Sequence, residues 1–206
     1  MIKKTEWLKS NVQDFWGEIA PCNHLLQIYE NDYVFLNSLE GFAGSGILAG
    51  DSVIIIATKQ HLHALDARLM DQGFDLPDLI AKKQYFPLNA KDTLAKFMIN
   101  GWPDEVLFID LVTKLMREAK SDNRNVRAFG EMVALLWSQG NNGATVKLEH
   151  LWNQFCENEE FSLFCAYPKS GFTQDPTISI EHICSAHSKI ISGEAGSSTE
   201  IIYKSA

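Results

Sequence analysis

Strand-like and helix-like segments alternate along the chain, which predicts an α/β fold with a mainly parallel central sheet flanked by helices. Two adjacent stretches carry that prediction. Val53-Ile54-Ile55-Ile56-Ala57-Thr58 is a mainly apolar, β-branched run, as expected of a strand covered on both faces. Lys59-Gln60-His61-Leu62 follows at once and opens a helix with Leu62, Leu65 and Leu69 turned inward, stopped by Gly73. A strand passing straight into a helix is where a nucleotide-binding α/β protein would set its phosphate loop. No Gly-x4-Gly-Lys-Ser/Thr follows this strand, so the glycine N–H groups that cradle a triphosphate are not supplied. The combination points to sensing or interaction and away from an ATPase.

The remaining elements follow in order. Residues 5–20 form an amphipathic helix with Leu8, Val12, Phe15 and Ile19 on one stripe, ended by Pro21. His24 to Tyr29 reads as the first strand. Asn31 or Asp32 then caps a helix carrying Phe35, Leu36, Leu39 and Phe42, whose end Gly41, Gly44, Ser45 and Gly46 loosen. A helix spans about Gln60 to Gln72, and a third strand lies between Ile80 and Leu88, its pattern interrupted by Lys82 and Lys83. Asn89, three residues before Asp92, caps a helix covering Leu94, Phe97 and Met98. Gly101-Trp102-Pro103-Asp104 is a turn, with Pro103 in the first turn of a helix holding Val106, Leu107, Leu111, Leu115 and Ala119. Asn125 to Gly130 is a strand, Glu131 to Gln139 an apolar helix, and Ala144 to Asn158 a helix with Leu148, Leu151, Trp152 and Phe155 facing in. Phe161 to Tyr167 is an apolar strand ended by Pro168. Ile180 to His187 is a last helix, 192–198 a linker, and Thr199 to Tyr203 an edge strand.

Bulk properties narrow the function classes. With 46% hydrophobic and 21% charged residues, the 206-residue chain has material for one well-filled core. Its net charge of -8 disfavours a general nucleic-acid binder, which needs clustered Lys and Arg. Cys22, Cys156, Cys165 and Cys184 include no C-x-x-C pair and read as reduced, buried thiols. Neither a secretion signal nor an apolar stretch of membrane-spanning length is present, so a cytoplasmic location is expected.

Ligands of open parallel sheets bind beyond the carboxyl ends of the strands. Those ends collect Tyr29, Glu30, Thr58, His61, Glu131 and Tyr167 as candidate ligand-binding residues. Glu131 suits either helix capping through the dipole or ligand contact. His61 suits ligand contact or capping of its own helix, and His63 points to another face. Arg127 can pair with a carboxylate or be solvated. His24 opens a strand and suits backbone bonding. Cys184 and His187 stand three apart without a complementary ligand pair, and Cys165 lies inside a buried strand, so neither a metal nor a catalytic thiol is expected. No cofactor is expected.

Taken together, certain motifs resemble a known family. They include His24-x4-Tyr29-Glu30, Gly50-Asp51-Ser52-Val53, Ala57-Thr58-x2-His61, Gly101-x-Pro103-Asp104 and Val126-Arg127-Ala128-Phe129-Gly130-Glu131-Met132-Val133. Leu148-Glu149-x-Leu151-Trp152-Asn153, Leu163-Phe164-Cys165-Ala166-Tyr167-Pro168 and Ile183-Cys184-x2-His187-Ser188 complete the ordered set. The set is similar to the MEDS family, the sensory domain of methanogen and methylotroph regulators. The resemblance covers about residues 22–191, leaving an N-terminal helix over 1–21 and a linker with an edge strand over 192–206. Asn89 stands where the resemblance leads one to expect Asp.

This resemblance implies a RecA/KaiC-like three-layer sandwich with a degenerate phosphate loop. It also implies a partner in trans, a histidine kinase or transcriptional regulator, because no output domain is attached. The expectation is therefore a stand-alone cytoplasmic sensor that binds a small organic molecule at the carboxyl edge of the sheet. The alternatives are a ligand-free adaptor, which could homodimerise, and an atypical nucleotide-binding ATPase.

Overall fold

The computed structural model describes residues 24–171 and the strands 189–192 and 200–203. The helices expected over 5–20 and 180–187 lie outside the described residues. So does the linker expected over 192–198, apart from Ser192.

Strand β1 (His24–Tyr29) leads into α1 (Asp32–Ala49), which returns to β2 (Ser52–Ala57). Then come α2 (Lys59–Asp71), α3 (Leu76–Ala81), β3 (Tyr85–Asn89) and α4 (Ala90–Leu94). A small hairpin of β4 (Met98–Ile99) and β5 (Trp102–Pro103) precedes α5 (Glu105–Ala119) and β6 (Val126–Gly130). Helices α6 (Met132–Ser138) and α7 (Asn142–Asn158) lead to β7 (Ser162–Pro168), and β8 (Lys189–Ser192) and β9 (Glu200–Tyr203) finish the sheet. The seven-stranded sheet runs β3-β2-β6-β7-β1-β8-β9. All neighbours are parallel except β8 and β9, which are antiparallel.

Strand alternation divides the core into two layers. Val53, Ile55, Ala57, Leu25, Phe129 and Phe164 pack under α1, α2 and α3. Ile54, Ile56, Leu26, Ala128, Leu163 and Cys165 pack under α4, α5, α6 and α7. Every residue of β2 is buried, as a strand covered on both faces should be. Each large side chain so buried contributes about 1.5–3 kcal/mol.

Three expectations are corrected. The glycines near residue 45 do not loosen α1, which runs on to Ala49 and is closed by Gly50 at φ 83. Gly46 is kept for closeness: a Cβ there would meet Val53 and Arg127 at 2.9 Å. The third strand expected between Ile80 and Leu88 is β3 at Tyr85–Asn89, and the residues before it form α3, which Asp75 caps and whose first turn Pro77 suits. Phe97 and Met98 leave the helix, and Pro103 belongs to β5, with Asp104 capping α5. Between β4 and β5, Asn100 and Gly101 both take positive φ (50 and 82), the turn that an Asn-Gly pair favours in hairpins.

Candidate functional site

Strands β2 and β6 are neighbours, yet the helices that follow them leave on opposite faces of the sheet. α2 packs with α1 on one side, and α6 with α7 on the other. Such a switch of side opens a crevice beyond the carboxyl ends of the two strands. Thr58 and His61 follow β2, Glu131 follows β6, and the crevice is where they meet.

The Glu131 carboxylate is held at both oxygens. Oε2 accepts the Thr58 backbone N–H at 2.7 Å, and Oε1 accepts from His61 Nδ1 at 2.8 Å. Its own N–H donates to Ile56 O at 2.8 Å, extending the β2–β6 ladder by one step. Glu131 occupies the N-cap position of α6 but makes no side-chain cap bond, so capping is not its role here. Thr58 caps α2 by accepting from the His61 N–H at 3.4 Å.

Aromatic rings wall the pair on the α1 side. Phe35 stands edge-on to the His61 ring at 4.8 Å and stacks on Tyr29 at 4.7 Å. Asp32, in the first turn of α1, reaches within 3.9 Å of His61 Nε2. Burial alone would lower the His61 pKa, but the Glu131 hydrogen bond and charge, with Asp32 behind them, carry it above its ordinary value. Tyr29 is pushed well up by burial and by the same two carboxylates, so it remains a neutral phenol. Together these groups can offer a ligand a polarised imidazole, a carboxylate and a phenol on one edge.

Four of the six candidates thus converge: Tyr29, Thr58, His61 and Glu131. Glu30 does not join them. It is exposed at the end of β1 and pairs with Lys169 at 2.8 Å. Nor does Tyr167, which faces the α7 layer and donates to Glu149 Oε1 at 2.5 Å. Being at a strand end fixes the edge, whereas strand parity fixes the face, and Tyr167 has the parity of Leu163 and Cys165. Asp32 and Phe35, which the sequence marks as a candidate cap and a core residue, join the site as well. The spacing Tyr29, Asp32, Phe35 around a strand-to-helix turn was the signal for them.

An apolar cavity of about 170 Å³ opens on the α5 side of this edge, lined by Ile56, Leu88, Phe97, Val112 and Met132, with Lys96 and Lys114 among its lining residues. Met132 directly follows Glu131 in the chain. A second cavity, of about 260 Å³, lies at the opposite, amino edge, beside Asp51, Arg124, Arg127 and Ser162.

The turn from β1 to α1 bears on phosphate binding, as does the turn after β2. β1 lies inside the sheet, flanked by β7 and β8, and its turn reads Glu30-Asn31-Asp32, with two acids and no glycine. Asn31 caps α1, accepting from the Val34 N–H at 3.1 Å. Two carboxylates beside a helix N-terminus repel the anion that a phosphate loop would attract.

The family model for the methanogen/methylotroph, DcmR sensory domain, MEDS, matches residues 23–188. The chain belongs to the MEDS family. No curated protein matches the sequence of this MEDS domain. Among solved structures, the PH0250 protein of Pyrococcus horikoshii OT3 is similar with a TM-score of 0.60 at 13% identity, covering 93% of this chain and 91% of that one. The KaiC-like protein PH0186 of the same hyperthermophilic archaeon has a TM-score of 0.57 at 10% identity, covering 88% and 77%. At such identities the likeness is one of fold, and the MEDS domain has a RecA-like, KaiC-like sandwich. Among the described residues, no helix is long and apolar enough to cross a membrane.

Proposed function

We propose that this MEDS domain is a cytoplasmic signal sensor. It binds a small organic molecule at the carboxyl edge of the sheet and regulates a histidine kinase or transcriptional regulator in trans. The observation that carries the reading is the His61–Glu131 pair at 2.8 Å in the crevice between β2 and β6. The pair suits the polar end of a small organic ligand, and the Phe35 and Tyr29 rings beside it suit the apolar body. A ligand hydrogen-bonding to Glu131 competes with the Thr58 N–H and so acts on the first turn of α2. Only a ligand with different affinity for the two arrangements shifts their populations.

A thermal-shift screen against small metabolites and nucleotides, with and without Mg²⁺, tests this. The expected result is a metal-independent stabilisation lost in His61→Ala and in Glu131→Gln. A ligand at 100 times its Kd adds about 2.7 kcal/mol. A second reading is a ligand-free adaptor, favoured by the fact that both Glu131 oxygens already have partners within the domain. A screen without hits, together with partner binding unchanged by metabolites, would decide for it. A stabilisation that requires both nucleotide and Mg²⁺ would instead favour the atypical ATPase.

A further inference from the structure

On the opposite face from His61, three buried side chains from three elements converge. His24 opens β1, Cys165 lies in β7, and Glu149 comes from α7, at 4%, 0% and 4% exposure. His24 and Cys165 share a sheet face because β1 and β7 are parallel, with His24 opposite Leu163 and Leu26 opposite Cys165. Glu149 stands in the inward stripe Thr145-Leu148-Glu149-Trp152, where an apolar residue is the rule. One donor atom from each of His24, Glu149 and Cys165 lies within 4.8 Å of the other two.

We propose that His24, Glu149 and Cys165 form a binding site for a divalent transition-metal ion of the zinc class. Two of the three donor–donor distances carry it, and the third, from the Cys165 sulfur to the Glu149 carboxylate, is within 4.8 Å and has to shorten as the ion binds. Bonds of about 2.0–2.1 Å to imidazole nitrogen and about 2.3 Å to thiolate sulfur, spread tetrahedrally, set N and S about 3.6 Å apart. His24 Nε2 and Cys165 Sγ are 3.5 Å apart. The same construction sets nitrogen and carboxylate oxygen about 3.4 Å apart. His24 Nε2 and Glu149 Oε2 are at 3.8 Å, a few tenths from closing.

The surroundings orient the donors. His24 Nδ1–H donates to Asn153 Oδ1 at 2.7 Å, which turns the Nε2 lone pair toward Cys165 and Glu149. Tyr167 donates to the other Glu149 oxygen, leaving Oε2 on the His24 side. Imidazole, thiolate and carboxylate together select zinc, cobalt or their neighbours over magnesium or calcium, which prefer oxygen alone. On binding, the Cys165 S–H bond breaks, its proton passes to solvent, and a sulfur–metal bond forms. Three protein ligands leave a fourth position for water or an exogenous donor. The site ties β1, β7 and α7 together and is independent of the sensing reading at the His61 edge.

The test loads the full chain, purified without a polyhistidine tag and stripped with chelator, with Zn²⁺ and separately with Co²⁺. The expected result is about one Zn²⁺ per chain by elemental analysis and a thiolate-to-cobalt charge-transfer band. Cys165→Ser should abolish the band while Cys156→Ser keeps it. Asn153→Leu, which removes only the orienting bond, should weaken Co²⁺ binding by about 10–100-fold. A wild-type chain that binds no Co²⁺, or binds it without a thiolate band, overturns the proposal, and so does a band that survives Cys165→Ser. Should Cys165→Ser fail to fold, the wild-type spectrum and the Asn153→Leu affinity still decide the matter.

Discussion

Glu131 and His61, 70 positions apart, meet at 2.8 Å, because the strands that precede them are neighbours in the sheet. Burial works against a charged imidazole, and the Glu131 hydrogen bond and charge, together with Asp32, more than offset it. Glu131→Gln keeps an acceptor for the Thr58 N–H but removes the negative charge. The His61 ring should therefore titrate above its ordinary value in the wild type and at lower pH in Glu131→Gln. An NMR titration of the His61 ring protons reads this directly, and equal midpoints in the two proteins would refute it.

The same shift couples stability to pH. A group whose folded-state pKa is raised stabilises the fold while it is protonated in both states' range. For His61 that contribution is complete below its unfolded value of about 6.5 and is lost as pH rises through the higher folded value. The stability difference between wild type and His61→Gln should thus shrink as the solution is made more alkaline across that window. Urea midpoints measured at a series of pH values provide the check, and a difference that grows with pH would contradict the assignment.

At the amino edge, the Arg127 Nε donates to Asp51 Oδ2 at 2.7 Å, with both side chains almost wholly buried. Ser45 Oγ accepts from the same guanidinium at 3.1 Å, and Phe42 lies beneath it at 6.0 Å. Asp51→Ala leaves a buried guanidinium without its carboxylate, which costs about 3–5 kcal/mol. Chemical denaturation should show a loss of that order. A loss below about 1 kcal/mol, the worth of an exposed pair, would mean that water reaches the guanidinium.

Which parts of this were legible in the chain follows from the range of the interactions. The Val53–Ala57 strand and the Thr58–His61 start of α2 are local, and apolar run and cap residue announce both. The convergence of Tyr29, Thr58, His61 and Glu131 was also legible, since strand ends gather at one edge whatever the strand order. Strand parity is legible too, and it sets Tyr167 on the face of Leu163 and Cys165, away from His61. The Asn100-Gly101 hairpin has its signal in the sequence, next to the competing turn signal of Gly101-Trp102-Pro103-Asp104. Arg127 could not be assigned, because its partner depends on β2 lying beside β6. Glu149 was hidden in the same way: its place in an apolar stripe marks it as buried, but only the β1–β7 pairing puts His24 and Cys165 over it.

Two glycines of α1 offer the sharpest test of the packing. Gly44 and Gly46 both sit inside the helix, where alanine is favoured by about 0.5–1 kcal/mol on conformational grounds. At Gly44 a new Cβ would approach the tip of the Gln72 side chain at 3.3 Å, and that tip can swing aside. At Gly46 it would approach Val53 Cγ2 and Arg127 Cδ, both at 2.9 Å. Neither can retreat, since Val53 is in a fully buried strand and Arg127 is held by Asp51. Gly44→Ala should be neutral or mildly stabilising, whereas Gly46→Ala should lose about 1–3 kcal/mol through overpacking. Urea unfolding of the two variants side by side separates them. Equal stabilities would mean that α1 lies farther from β2 than these contacts require.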